Sequence, residues 1–169
     1  MVDICKAGDD FIEARTAAIF NKKVNGSPIL KGIAFPTCVS VNHIISHCSP
    51  LESDDSWEPL TGGDMCKIDL GVHVDGFIAV VAHTIVVLGD VQPDSAAASV
   101  DSAARTNVAS AAWMAAEVAV KLIKAGNTNT QVTAAIKKVA DAYGVKPCTN
   151  FEMLQMKKFV IDGNKKIAL

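Results

Sequence analysis

The sequence predicts an α/β protein of the α+β type, in which helices flank a largely antiparallel sheet. Two observations predict this class. The 169 residues are 50% hydrophobic with a mean hydropathy of +0.27, so the chain is long enough for one real core and too short for two ordinary domains. Along the chain, one helical pattern precedes strand-like runs, and two helical patterns and a last strand follow, which is typical of helices packed on a mainly antiparallel sheet.

The first element is predicted as a helix over residues 9–22. Asp9 and Asp10 suit the positive end of a helix dipole, and Lys22 suits the negative end. Apolar residues recur there at helical spacing, namely Phe11, Ile12, Ile19 and Phe20. Residues 25–28 (NGSP) then mark a turn.

Strands are predicted from residue 29 to residue 88, including one over 38–47. The clearest pattern is two β-rich runs, 65–74 and 77–88, joined by Asp75-Gly76, a dipeptide typical of a two-residue hairpin turn. Such a turn pairs Val74 with Phe77, Gly71 with Val80 and Asp69 with Ala82. Alternation then places Asp69 and Val80 on one face of the hairpin.

The second half of the chain is predicted to be helical over residues 94–144 and to end in a strand near 158–162. Asp94 or Ser95 would open the first helix, with Trp113 in the core, and Gly126 would end it. Asn127 or Asn129 would cap a second helix that continues through residue 142.

Composition excludes several functional classes. A formal net charge of -2 and a pI near 6.0 argue against a broad basic face for nucleic acid. The paired lysines are interpreted as solvated surface, with a phosphate-binding patch as the alternative. The 5 cysteines form no CxxC motif, which favours reduced thiols in a cytosolic or nuclear protein. Apolar runs are too short for a membrane span.

Several long motifs occur in order along the chain: GIAFPT at 32–37, SVN at 40–42, SHCSP at 46–50, KIDLGVHVDGF at 67–77, GNTNT at 126–130 and VIDG at 160–163. Together they resemble the type-2 methionine aminopeptidases. The likeness is greater to the proliferation-associated (ErbB-binding) proteins, noncatalytic relatives of those enzymes. The resemblance implies a pita-bread fold, a curved antiparallel sheet built from two similar halves around a pocket. Residues 1–169 would form a single, incomplete domain of that type, covering the first half and the start of the second.

The same resemblance assigns four positions to a vestigial pocket. His47 falls on the histidine that contacts substrate in the peptidases, and Asp69 on their first metal-binding aspartate. Their second aspartate falls on Val80 and their metal-binding histidine on Leu154, and neither side chain can ligate a metal. The family's two glutamate ligands fall beyond residue 169. We therefore expect a pseudoenzyme with no catalytic residue, no metal ligand and no cofactor.

The implied function is association with protein partners and with ribosomes, ribonucleoprotein or RNA in growth control, in the cytoplasm and in the nucleus or nucleolus, without membrane attachment. The alternative is an active metal-dependent methionine aminopeptidase, against which Val80 argues. A third hypothesis is a structural fragment without activity of its own. An incomplete sheet implies either a piece of a longer protein or a chain that pairs with itself or with another polypeptide.

Overall fold

A computed structural model of the chain describes residues 1–54, 56–89 and 102–169, which group into two compact units. The first unit, Met1–Ser99 with Lys157–Val160, contains helix α1 (Val2–Ala17) and strands β1 (Lys31–Val41), β2 (Met65–Val74) and β3 (Phe77–Val86). The three strands form one antiparallel sheet in the order β1-β2-β3.

The β2–β3 hairpin confirms the predicted register. Val74 pairs with Phe77, Gly71 with Val80 and Asp69 with Ala82. The turn requires positive φ at both central residues, and Asp75 (φ 52°) and Gly76 (φ 78°) supply it, as a type I′ turn needs. Asp69 and Val80 therefore do lie on the same face of the sheet.

Helix α1 lies earlier in the chain than the sequence predicted. It begins at Val2 and ends at Ala17, so the predicted bounds of 9–22 were wrong at both ends. Asp9 lies inside the helix and not at its start. Its carboxylate has a long-range partner: Oδ1 accepts a hydrogen bond from the backbone N–H of Thr37 in β1 at 2.7 Å. Lys22 lies after the helix end.

The core of the first unit lies between α1 and the sheet. Cys5 of α1, Val39 of β1 and Cys66 of β2 are buried together, and Leu60 and Ile68 pack against them. The expectation that most thiols act as small buried hydrophobes holds for Cys5 and Cys66. With α1 on this face, the face that carries Asp69 is the other one.

The second unit, Val100–Met156 with Ile161–Leu169, contains α2 (Ser102–Leu122), α3 (Asn129–Ala142) and the antiparallel pair β4 (Glu152–Leu154) and β5 (Lys166–Ala168). Its core joins Ala119 of α2 to Val132 and Ile136 of α3. Helix α3 ends at the predicted residue. Its cap is Thr128 and neither asparagine, and Thr128 forms a reciprocal capping box with Gln131.

Two further predictions for this part of the chain were wrong. The predicted strand at 158–162 is an isolated bridge between Lys157 and Val160, followed by bends. Trp113, expected in the core, is 63% exposed on α2. The predicted opening of the first helix at Asp94 or Ser95 lies outside the described residues. No helix in the described part of the chain has the length and apolar character needed to cross a membrane. That residues 1–169 form one domain stays a prediction.

Candidate functional site

The site begins with an irregularity in β1 at Pro36. Between the pairs Phe35–Gly71 and Cys38–Asp69, β1 contains both Pro36 and Thr37 where β2 contains Leu70 alone, so the strand bulges. Proline has no N–H to give to the ladder and is tolerated at such bulges. The N–H of Thr37 turns to Asp9 instead. The extra residue brings Cys38 directly opposite Asp69, on the same face of the sheet.

His47 reaches this face from the segment that follows β1. The prediction of a strand through residue 47 was wrong, because β1 ends at Val41 and a turn follows. Cys48 fastens the returning segment to the strand. Its carbonyl accepts from the N–H of Val39 at 2.8 Å, and its own N–H donates to Ser40 Oγ at 3.2 Å. His47 itself has φ 59°, a left-handed conformation that costs free energy in a residue other than glycine.

The three side chains meet above β2. Nδ1–H of His47 donates to Asp69 Oδ2 at 2.8 Å. Ligand-type atoms of Cys38, His47 and Asp69 all lie within 4.8 Å of one another, and no other group of three His, Cys, Asp or Glu side chains in residues 1–54, 56–89 and 102–169 does so. The side chain of Asp69 is 13% exposed and that of His47 is 72% exposed, so the group is buried at its base and open to solvent at its top.

An aromatic ring supports His47 from the side. The ring of Phe35 meets the imidazole edge-on, with centroids 6.2 Å apart and planes at 81°. Phe35 lies over Gly71, its partner on β2, where a Cβ would come within 2.5 Å of the phenyl ring. Glycine at position 71 is therefore what lets Phe35 lie close to the sheet beside His47.

The thiol of Cys38 is held in its neutral form. Burial, and next the nearby carboxylate of Asp69, raise the pKa of Cys38 from 9.0 to about 11. A thiol in this state is a poor nucleophile at neutral pH, because the thiolate is the reactive species. The arrangement Cys38–His47–Asp69 therefore does not suit thiol catalysis, although the residue types are those of a cysteine protease.

The ligand set can be compared with the two-metal centre that the resemblance implies. Such a centre needs paired or bridging carboxylates. On this face the first unit offers the carboxylate of Asp69, while the side chain of Val80, 49% exposed, is hydrocarbon. A two-metal centre does not fit these residues. Leu154, the other substituted position, lies in β4 of the second unit.

Sequence reasoning placed His47, Asp69 and Val80 in one site, and the structure brings His47 and Asp69 into contact. Cys38 is a member of the group that the sequence does not reveal, since composition indicates for it only a buried thiol. The signal for Cys38 is its pairing with Asp69 in the β1–β2 ladder. Counting residues along the two strands does not predict this pair, because the bulge at Pro36 shifts the register by one.

Comparison with known proteins agrees with the architecture and the motifs. Residues 3–161 match the model of metallopeptidase family M24. The chain belongs to this family. It is 46% identical over 167 residues to proliferation-associated protein A of Dictyostelium discoideum, a match that covers 99% of this chain and 40% of that protein. It is also 46% identical over 167 residues to ERBB-3 binding protein 1 of Arabidopsis thaliana, covering 99% of this chain and 39% of that one.

A solved structure supports the fold as well. The structure of a thermophilic Arx1 superposes with a TM-score of 0.80 at 26% identity, and the match covers 99% of this chain and 48% of that chain. The predicted class, an α+β fold of the pita-bread type, is thereby confirmed, and so is the resemblance to the proliferation-associated proteins. The chain spans about 40% of the length of the two relatives named above.

Proposed function

We propose that this chain is a noncatalytic, aminopeptidase-like binding protein. The observation that carries the proposal is Val80. It occupies the face of Asp69, opposite Gly71, where a two-metal peptidase centre would need its second carboxylate. An isopropyl group offers no lone pair to a metal ion, and sequence elsewhere cannot restore a ligand on this strand. His47, Asp69 and Val80 are then the remains of a ligand and substrate site on the first unit, and Leu154, in the second unit, is the other substituted ligand position that the motif resemblance assigns.

The pairing of Asp69 supports this interpretation. A carboxylate buried to this extent needs hydrogen-bond donors or ions to replace lost water. Asp69 has such a donor in His47, at 2.8 Å. The Asp69 carboxylate thus has a hydrogen-bond partner within the protein. A surface of this kind is suited to contact a peptide without cleaving it.

The proposed partners follow from the relatives. One relative is named for proliferation and another for binding ERBB-3. Together with the motif resemblance, these names support association with regulatory proteins and with ribosomes or other ribonucleoprotein, in the cytoplasm and the nucleus or nucleolus.

The outer edge of β3 supports self-association or coverage by another polypeptide. Within the described residues, β3 pairs with β2 and with no other strand. Its large side chains Phe77, Val81 and Val86 are exposed. An unpaired apolar strand edge of this kind favours addition of a further strand.

A cleavage assay tests the noncatalytic proposal. The purified chain should not cleave a methionine-initiated peptide in the presence of cobalt or manganese. Turnover that depends on a stoichiometric metal would support the alternative, an active aminopeptidase, and refute the proposal.

The role of Val80 has a matched test on the same strand. Val80→Asp adds a carboxylate beside Asp69, and Val81→Asp adds one on the opposite face; the two valines are 49% and 58% exposed. We expect Val80→Asp alone to strengthen manganese binding, still without peptide cleavage. Equal manganese affinities in the two variants would show that position 80 does not face a metal-competent site.

A cosedimentation assay tests the proposed partner. The chain should travel with purified ribosomal subunits in a sucrose gradient and should dissociate as salt is raised, since exposed charges are screened. Absence of enrichment over an unrelated protein of the same size at low salt would refute ribosome association.

A further inference from the structure

Three different donor atoms converge on the open face of β2, and they do not reproduce the ligand set of a two-metal peptidase. We propose that Cys38, His47 and Asp69 bind a single zinc ion, through one sulfur, one imidazole nitrogen and one carboxylate oxygen. The proposal goes beyond the noncatalytic function and does not depend on it. A lone zinc ion held this way still lacks the second metal.

The chemistry of the donors selects the metal. Thiolate and imidazole favour zinc over magnesium, calcium and manganese, which prefer several oxygen ligands. Asp69 supplies the carboxylate of this site, and Val80 adds nothing to it. The donor set therefore discriminates against the hard ions that a carboxylate-rich centre binds.

The geometry is close to what zinc requires. Zinc bonds of about 2.0–2.3 Å place tetrahedral ligand atoms roughly 3–4 Å apart. Here the donor atoms lie within 4.8 Å of one another, and the contact between His47 Nδ1 and Asp69 Oδ2 is 2.8 Å. Entry of the ion needs shifts on the order of 1 Å, which the exposed side chain of His47 can make.

The backbone holds the donors in this arrangement. Cys38 and Asp69 are partners across the β1–β2 ladder, so their separation is fixed by the sheet. His47 is held in a left-handed conformation beside them by the hydrogen bonds of Cys48 to β1. Strained backbone maintained by its surroundings recurs at ligand-binding positions. The exposed top of the site leaves the fourth coordination position to water or to a side chain of a partner.

Metal binding is measured directly, with no activity needed. The full chain, reduced and stripped of metal, is titrated with zinc against a chromophoric chelator, and with cobalt under an absorption spectrometer. We expect one equivalent of zinc and a thiolate-to-cobalt charge-transfer band in the near ultraviolet. Binding releases the thiol proton, so the apparent affinity should rise with pH.

Variants identify the ligands. His47→Asn changes an exposed side chain and should fold; we expect zinc binding at least about 100-fold weaker, more than the roughly 10- to 100-fold cost of losing a group that only orients a ligand. Cys38→Ser should abolish the charge-transfer band. The matched controls are His43→Asn, on the same exposed segment, and Cys148→Ser, an exposed thiol of the second unit.

Each outcome of these titrations either supports or refutes the zinc site. Loss of binding in the two ligand variants with retention in the two controls supports the site. Failure to bind one equivalent of zinc, or unchanged affinity in His47→Asn, would overturn it and leave His47 and Asp69 as an ordinary hydrogen-bonded pair. Peptide cleavage would bear on the noncatalytic proposal alone, so the two can fail independently.

Discussion

Gly71→Ala tests the packing that supports His47. In the structure an added Cβ would lie 2.5 Å from Cδ1 and Cε1 of Phe35 and 3.3 Å from Cβ of Ala34. Carbon atoms in good contact are about 3.5–4.0 Å apart, so the phenyl ring must retreat by roughly 1 Å. Overpacking of this size costs about 1–3 kcal/mol. We expect Gly71→Ala to lower the free energy of unfolding of the first unit by that amount.

Fluorescence can follow the first unit separately. The chain has 2 tryptophans, Trp57 in the first unit and Trp113 in the second. In a Trp113→Phe background, which alters an exposed side chain, denaturant unfolding reports on Trp57 alone. Trp57 is half-buried and donates its Nε1–H to Asp54 Oδ2 at 2.7 Å, so its emission should change when this loop unfolds.

A double-mutant cycle decides whether the overlap with Phe35 is the cause. In a Phe35→Ala background there is no ring to displace, so Gly71→Ala should cost little there. The predicted coupling is about 1 kcal/mol or more, well above the roughly 0.3–0.5 kcal/mol by which independent sites depart from additivity. The same cost in both backgrounds would refute the argument, because the destabilisation would then come from elsewhere than the phenyl ring.

Three other predictions concern the capping box and the thiols. Thr128→Ala should destabilise the second unit by about 1 kcal/mol through loss of the cap with Gln131, and an unchanged Trp113 unfolding midpoint would argue against the capping role. Cys148 should react with a thiol reagent far faster than Cys66 in the folded chain, with equal rates in denaturant; equal rates in both states would contradict the burial. Burial raises the pKa of Cys5 and Cys66 above 9.0. The free energy of unfolding should therefore be fully present below pH 9.0 and fall as the pH rises through the raised values. A pH dependence of the free energy of unfolding that Cys66→Ala leaves unchanged would count against this.

Prediction from sequence was most accurate at the β2–β3 turn, where the chemistry of two residues determines the structure. The register of the β2–β3 hairpin was correct to the residue because Asp75-Gly76 supplies the two positive φ values of one turn type, which fixes every pair behind the turn. The predicted end of the second strand at residue 88 was wrong, since β3 ends at Val86. Helix α1 was misplaced because an aspartate near a helix start normally interacts with that helix. The carboxylate of Asp9 interacts instead with Thr37, 28 residues further on, and no local pattern reveals such a partner.

The candidate site likewise contains residues that the sequence predicts and one residue that it does not. That His47 and Asp69 belong to one site was predicted from motifs that resemble a known family, and the position of Val80 from the hairpin register; the direct contact between His47 and Asp69 was not predicted. The third member, Cys38, was not predicted either. Its place opposite Asp69 depends on a bulge, and the bulge depends on Pro36 lacking a backbone donor while Thr37 finds its acceptor on α1.

The geometry of the site therefore depends strongly on the bulge in β1. Side chains alternate along a strand, so a shift of one residue sends each to the opposite face. Without the bulge between Phe35 and Cys38, the pairing beyond Phe35 would shift by one position, and Thr37 would replace Cys38 opposite Asp69. The core would lose Val39 at the same step, since it packs with Cys5 and Cys66. The register that places Val39 in the core of this unit is therefore the same register that places Cys38 opposite Asp69.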